Sequence, residues 1–340
     1  MTPPTLTRSG LFREPAGALP NTLVLLWASL GWFSSFILMG APGVLSNVLG
    51  VLLCCHAMVI AAYLIHEAAH QTLFARAGVN RCAGEWLGFI AGSSYASFER
   101  IRHMHIRHHC DRVDLIAYDF KGLLRRRLVV RRLLEIAEWA YVPATEMLLH
   151  LQILWRPMLE AGQRRYLPRV LGMLLLRLSL LAALALWSLK ALLLYLLAYG
   201  LLLHVLNFFD AFHHSFEQLV VDANQEVPRE GRDRAYEQAN TYSNLISAHW
   251  HWLNVLTLNF GYHNAHHERP GTPWYRLPSL HRSLYGGGVQ AVLPVSELVS
   301  TWHRNRVRRV QADSCGEPGA SGRRADGFIG THGVSFLTVV

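Results

Sequence analysis

The sequence is poor in charge and in cysteine. Only 16% of its 340 residues are charged, whereas 51% are hydrophobic, and a typical soluble chain carries about 25% charged residues. The five cysteines are odd in number and include no Cys-x-x-Cys pair, so neither a disulfide framework nor a zinc ribbon is supported. The chain also lacks a nucleotide-binding fingerprint, a haem motif and iron–sulfur spacing. No motif points to nucleic acid as a partner.

Four long apolar runs account for the low fraction of charged residues. Each of the four is close to the roughly 20 residues that a helix needs to cross a bilayer. They cover about 22–39, 45–65, 167–187 and 191–212. A short turn separates the members of each pair. The sequence therefore predicts an all-α polytopic membrane protein, with four transmembrane helices in two hairpins.

The remaining residues divide into a cap and a tail. Residues 66–166 and 213–311 are more polar and are predicted to form a helical cap, so that 1–311 is a single membrane domain. Residues 312–340 are rich in Gly, Ser and Arg and are predicted to be a flexible tail.

Three stretches interrupt this simple pattern. Residues 133–155 are apolar but broken by charges, and we expect one interfacial helix there, because charge in lipid is costly. Trp86 to Phe98 is expected to be amphipathic or re-entrant. Arg177 lies inside the third span and should face the protein interior or snorkel.

The distribution of basic residues predicts the orientation. Arg and Lys concentrate in 1–20, 70–165 and 229–309, whereas the two opposite turns contain only Lys190. By the positive-inside rule, both termini and the cap are cytoplasmic. We expect a multi-pass protein of the bacterial inner membrane. The net charge of +9 favours contact with anionic lipid heads and with an acidic protein partner.

Three histidine clusters carry the chemistry of the chain. Residues at i, i+3 and i+4 share one face of a helix, so each cluster can aim two or three imidazoles in one direction. Eight imidazoles exceed the three or four protein ligands of one zinc site and suit a pair of metal ions. The clusters are His66 and His70; His105, His108 and His109; and His263, His266 and His267.

Polar neighbours of the clusters are candidates for orienting the imidazoles. Glu67, Asp111 and Asp114 could accept ring N–H groups, although the aspartates could instead cap a helix or pair with arginines. His103 is a possible extra ligand or such a neighbour. The isolated histidines are expected at the surface; they are His281, His303 and His332.

These residues resemble the integral-membrane fatty acid desaturase superfamily. The resemblance rests on His66-Glu-Ala-Ala-His70, on His105-Ile-Arg-His-His109 and on Tyr262-His-Asn-Ala-His-His267, in their order and placement relative to two hairpins. It implies a non-haem diiron centre with about nine histidine ligands. The ninth is expected in Asp210-Ala-Phe-His-His-Ser-Phe-Glu217, where His214 is favoured over His213. Asp210 and the other histidine would then be neighbours of the centre.

The resemblance also implies the reaction and its partners. Two iron ions would be reduced by an external electron donor, such as ferredoxin or a cytochrome-type carrier with its reductase. Dioxygen would be the co-substrate, and hydrogen would leave a fatty acyl chain. Desaturation is the expected outcome. A terminal-alkene-forming decarboxylase, a hydroxylase or a carotenoid ketolase could use the same scaffold.

Two other classes of function fit the sequence less well. His66-Glu67-Ala-Ala-His70 is a literal H-E-x-x-H, in which Glu67 would be the general base of a membrane zinc protease, but that interpretation leaves two clusters unexplained. A metal transporter would place its ligands near the bilayer midplane, whereas these clusters follow the ends of the spans.

Overall fold

The computed structural model describes residues 10–220, 226–228, 230–286, 292–319, 324–333 and 337. Helices dominate the described residues. In chain order they are α1 (Ala18–Gly40), α2 (Val44–Ala69), α3 (Ala77–Ala91), α4 (Phe98–Asp111), α5 (Phe120–Arg126), α6 (Leu128–Trp139), α7 (Ala144–Leu159), α8 (Leu167–Trp187), α9 (Leu189–Asp210), α10 (Arg234–Ala239), α11 (His263–Glu268), α12 (Leu277–Tyr285) and α13 (Val295–Asn305). The strands β1 (Asp114–Ile116) and β2 (Gln218–Val220) pair in parallel, with Asp114 opposite Gln218. Short 3-10 segments lie at Pro15–Gly17, Ala161–Tyr166, His251–Thr257, Trp274–Arg276 and Arg308–Val310.

Four helices are long and apolar enough to cross a membrane. They are α1, α2, α8 and α9, of which the first and third are extended at their starts by 3-10 turns, and their mean hydropathy lies between 1.8 and 2.5. The four spans expected from the sequence are therefore confirmed. The chain is an all-α polytopic membrane protein.

Each hairpin has a short, hydrogen-bonded turn. The Asn47 side chain donates to the backbone carbonyls of Leu38, Met39 and Ala41 at 2.8–3.1 Å, so it satisfies acceptors that the end of α1 leaves open. Ser188 is the N-cap of α9 and accepts from the Ala191 N–H at 3.2 Å, as N-cap serines commonly do.

Helix α2 is the centre of the bundle. Its residues from 57 to 69 are all buried, and α1, α3 and α9 pack around it. The small residues Ala57, Ala61, Ala62, Ala68 and Ala69 let these neighbours approach closely. This enclosure brings the end of α2, where the first histidine cluster lies, into the interior of the protein.

Arg177 faces the protein. Its guanidinium donates to the Phe89 carbonyl at the end of α3 and to the Ser94 hydroxyl, the latter at 3.3 Å. The last carbonyls of a helix lack partners within that helix, and a cation there is also favoured by the helix dipole. The charge inside the third span is thus used to hold the end of α3.

The prediction of a single interfacial helix over 133–155 is wrong. The structure has two helices there, α6 and α7, which are separated by Ala140–Pro143. Tyr141 has a φ of 59°, which a helix cannot continue through, and Pro143 lacks the N–H that a helix interior requires.

The described part of the predicted flexible tail is packed against the protein. Phe328 is fully buried against Phe212 and Tyr242, and the Thr331 N–H donates to the Ala211 carbonyl at 3.0 Å. The flexible tail is therefore a wrong prediction for 324–333, because these few apolar side chains outweigh the glycine-rich composition. His281 and His332 are buried rather than superficial.

Candidate metal centre

Three helical segments carry the predicted histidine clusters to one place. His66 lies in the last turn of α2, and His70 is its C-cap residue. Ser97 is the N-cap residue of α4, and its side chain accepts from the Arg100 N–H. The i, i+3, i+4 spacing of the histidines in α4 places three imidazoles on one face. Helix α11 has the same spacing.

A strained turn places α11 against the other two segments. Leu258 and Asn259 both have positive φ, of 51° and 57°, and this conformation is uncommon outside glycine. At Gly261 a Cβ would lie 2.4 Å from the Asn244 carbonyl oxygen. Any side chain at 261 would therefore push the third histidine cluster away from the first two.

The nine predicted ligand residues converge in two groups. The first group of imidazoles lies within 4.8 Å and contains His66, His70, His105, His109 and His266. The second contains His108, His214 and His267, and His263 joins it because its Nε2 is 3.0 Å from that of His214. The structure thus brings His214 into a group as the ninth residue, and not His213.

The spacing within the groups fits ligands around a shared ion. The Nε2–Nε2 distances are 2.7 Å for His70 and His105, 3.0 Å for His66 and His266, and 2.9 Å for His214 and His267. Two nitrogens that are each about 2.1 Å from one metal ion are about 3 Å apart when they bind at right angles. The donor set therefore fits two metal ions.

Acceptors on the far side of the rings fix several tautomers. His108 Nδ1–H donates to the Val113 carbonyl at 2.7 Å, and His267 Nδ1–H donates to Glu237 Oε1 at 2.9 Å. His214 Nδ1 lies 3.3 Å from Asp114 Oδ1. Protonation at Nδ1 leaves the Nε2 lone pair free, and such partners also raise ligand basicity.

Burial keeps the imidazoles neutral. It lowers the pKa of His108 to about 4 and holds the pKa values of His105 and His109 well below their usual range, with further lowering from neighbouring histidines. A metal ion binds only the neutral imidazole. The site is therefore competent to bind a cation at neutral pH.

Glu237 is a functional residue that the sequence reasoning missed. It lies in the short helix α10, holds His267, and is itself held by Arg112, whose Nε donates to Glu237 Oε2 at 2.9 Å. Burial raises the pKa of Glu237, and the Arg112 hydrogen bond opposes that rise. It stands in a strongly charged stretch, so no sequence signal separates it from the acidic residues around it.

Three of the predicted neighbours, Asp114, Asp210 and His213, lie beside the histidine groups. Asp114 Oδ1 lies 3.5 Å from His108 Nδ1 as well as close to His214. His213 stacks on His263, with ring centroids 4.1 Å apart, and its Nδ1 is 4.0 Å from Asp210 Oδ1.

Of the remaining candidates, Glu67 also lies beside a ligand residue, whereas Asp111 and His103 have other surroundings. Asp111 forms an ion pair with Arg107 at 3.0 Å, which is the alternative that the sequence left open. His103 lies outside both groups: it is exposed, because it lies two residues from His105 and so on the far side of α4. Glu67 Oε1 lies 3.6 Å from Nδ1 of the ligand residue His66, and its Oε2 accepts from the Thr72 hydroxyl at 2.6 Å and from the Trp274 N–H at 3.1 Å.

Two of the cavities in the described part of the protein are relevant to the site. The smaller, of about 50 Å³, borders the second histidine group and Asp210. The larger, of about 570 Å³, lies among α1, α3, α7, α8 and α9, and its size is typical of small-molecule pockets. Its lining is largely apolar, with Arg177, His150 and Tyr199 among the polar exceptions.

Fold and site together define a polytopic membrane protein with a histidine-rich site that fits two metal ions. A sequence model of the family described as "Fatty acid desaturase" matches residues 42–297. The chain belongs to this family.

A curated relative supports the same assignment over a short region. The sphingolipid delta(4)-desaturase of Candida albicans (strain SC5314 / ATCC MYA-2876) is 36% identical over 74 residues, which are 22% of this chain and 19% of that protein. The matched region thus spans about a fifth of the length of that relative.

Proposed function

We propose that the protein is a diiron desaturase, which uses dioxygen and external electrons to remove hydrogen from a fatty acyl chain. The observation that supports this most directly is the convergence of nine neutral imidazoles in groups of five and four. Imidazole is a suitable ligand for iron. Two irons held there would supply the oxidising chemistry that an unactivated C–H bond requires.

The protein's own contribution is to hold and enclose the reacting groups. Asp114 and Glu237 orient imidazoles of the second group. Phe260 packs against His66 and His263 at 4.8 and 5.0 Å, and its apolar ring keeps water from that side. A dry site of fixed geometry favours reaction at one methylene over side reactions.

The larger cavity is the proposed place for the acyl chain. Trp32, Phe36, Leu181 and Leu184 give it an apolar wall between the membrane helices, which a hydrocarbon chain can enter without passing through water. The sequence contains no nicotinamide or flavin motif, so the electrons must come from a separate carrier. We propose an acidic ferredoxin or cytochrome-type carrier, because the chain has a net charge of +9.

The proposal predicts about two irons per chain and an unsaturated product. Iron and zinc are measured together on protein purified in detergent. The iron-loaded protein is then given a reductase system, dioxygen, and acyl substrates that include a free acid, a thioester and a sphingoid lipid. A product with a new double bond supports desaturation. A terminal alkene, a hydroxylated acid or a ketone would contradict desaturation and indicate one of the other reactions that this scaffold could support. About one zinc with no iron after anaerobic loading would contradict the diiron assignment.

Glu67 distinguishes the oxidoreductase from a zinc protease. Its Oε2 already accepts two hydrogen bonds, from Thr72 and Trp274, and a glutamine carbonyl can accept both. We expect Glu67→Gln to keep both irons and to lower activity by at most about 10–100-fold, as changes outside the ligands do. Glu99→Gln, at an exposed residue in the first turn of α4, is the control. Complete loss of activity with unchanged iron would instead point to Glu67 as a general base.

The proposed orientation has both termini and the histidine groups in the cytoplasm of a bacterium. Reporter fusions after residue 42 and after residue 190, in the two hairpin turns, should then report the external side. A cytoplasmic signal at both positions would reverse the topology.

A further inference from the structure

Residues 247–257, here called the Trp250 loop, are bonded to the middle of a membrane span. The carbonyl of Leu256 lies 3.1 Å from Nε2 of His56 on α2, and the indole N–H of Trp27 on α1 donates to His56 Nδ1 at 2.9 Å. An indole N–H can only donate, so His56 Nδ1 is the acceptor. His56 Nε2 therefore carries the proton and donates it to Leu256.

This bond fixes how deep the Trp250 loop reaches. His56 is twelve residues after the start of α2 at Val44, which is about 18 Å at the rise of an α-helix. The hydrocarbon core of a bilayer is about 30 Å thick. The level of His56 therefore lies inside the hydrocarbon layer, with about 12 Å of that layer still to cross.

Over the remaining thickness of the hydrocarbon layer, the outer surface of the protein is formed by the Trp250 loop and no longer by α2. The exposed apolar side chains of α2 end at Leu52, and its residues from 57 onward are enclosed on every side. The 3-10 segment His251–Thr257 packs on α2 there. It presents Trp252 with 69% and Trp250 with 58% of their surfaces exposed, beside exposed Val255 and Leu256.

Several backbone polar groups of the Trp250 loop are hydrogen-bonded within the protein, as an environment without water requires. Asn254, which is 1% exposed, accepts from the Ile246 and Ser247 N–H groups and donates to the Ser247 and His251 carbonyls, at 2.8–3.3 Å. The Ser247 hydroxyl accepts from the Trp250 N–H at 2.9 Å. Irregular backbone is tolerated at membrane depth only where its polar groups have such partners.

We propose that the Trp250 loop is inserted in the bilayer and that its exposed side chains contact the acyl chains of membrane lipids. Depth, apolar exposure and internal hydrogen bonding each support this occupant over a soluble partner. Tryptophan is also the residue that favours the water-facing boundary of the hydrocarbon layer. This inference does not depend on the reaction that the centre catalyses.

Photo-crosslinking of the full chain tests the proposal. A benzophenone amino acid is placed at Trp252 and, in a second variant, at Val255, and each purified protein is reconstituted in vesicles of phosphatidylethanolamine and phosphatidylglycerol. Leu49, an exposed residue of α2, is the lipid-facing reference. Ser279, an exposed residue of α12, is the reference for the cap. Gel filtration identifies any variant that fails to fold.

Lipid adducts detected by mass spectrometry decide the outcome. We expect the 252 and 255 variants to form them in yields within about threefold of the Leu49 variant, and at least tenfold above the Ser279 variant. Yields at the Ser279 level from both positions would overturn the proposal. Crosslinked dimers in place of lipid adducts would do so too, because the Trp250 loop would then face a second copy of the chain.

Discussion

Replacing His266 by Ala is expected to abolish activity and to lower bound iron from about two to about one per chain. His266 Nε2 lies 3.0 Å from that of His66 and 3.1 Å from that of His109, so it completes the group of five and no other. The group of four would keep its full set. Iron content and product formation, measured on the same preparation, test this result.

His103→Ala is the matched control, because it removes an imidazole from α4 on the side away from the centre. It should keep both irons and full activity. His263→Ala provides the converse test, since it should remove the iron of the group of four and leave that of the group of five. Two irons and full activity in the His266 variant would refute the assignment of the ligands.

Asp114→Asn is expected to have the next largest effect. One of its oxygens lies 3.3 Å from His214 Nδ1 and 3.5 Å from His108 Nδ1. The His108 Nδ1–H donates to the Val113 carbonyl, so the carboxylate orients His214 and adds its negative charge beside a second ligand of the same group. The amide keeps an acceptor but loses the charge and can present a donor instead. Losses of an orienting partner usually cost about 10–100-fold in metal affinity or activity. We expect the upper end of that range, measured by competition with an iron chelator.

Two further variants separate orientation from general damage. Asp119→Asn changes an exposed carboxylate that caps α5 and should leave iron affinity unchanged. Among the ligands, Glu237→Gln affects only His267, although it also changes the partner of Arg112. It should have a smaller effect than Asp114→Asn, because Asp114 lies beside two ligands. Equal iron affinity in the Asp114 variant and the unaltered protein would mean that the backbone alone positions these imidazoles.

Hydropathy was sufficient to predict the membrane part of the fold, because a bilayer imposes one length on every span. Helical periodicity was sufficient to predict which imidazoles share a face, and this is why His103 could have been placed away from the centre by its spacing alone. The break between α6 and α7 was harder to predict. There, composition favoured one helix, and the break at Tyr141 depends on a local φ that the sequence does not reveal.

The residues that hold the imidazoles were only partly predictable. Asp114 lies only a few residues after the second cluster in the sequence, so inspection of the polar residues next to that cluster is enough to find it. Glu237 reaches His267 from a helix 30 residues away, and only the packing of α10 on α11 makes the contact. The packed segment at 324–333 shows the same limit, since its burial depends on the surfaces of Phe212 and Tyr242 that receive it.

The arrangement of the two groups also has a consequence for biosynthesis. Each group contains at least one member of the cluster at 263–267, although the first histidine of the centre is residue 66. While the ribosome is still making the chain, therefore, neither ligand set is complete until all spans have been inserted and residue 267 has emerged. Iron captured earlier would be left with open positions facing water and oxygen. In the proposed diiron protein, the order of the clusters would thus couple loading of both ions to one late step of synthesis.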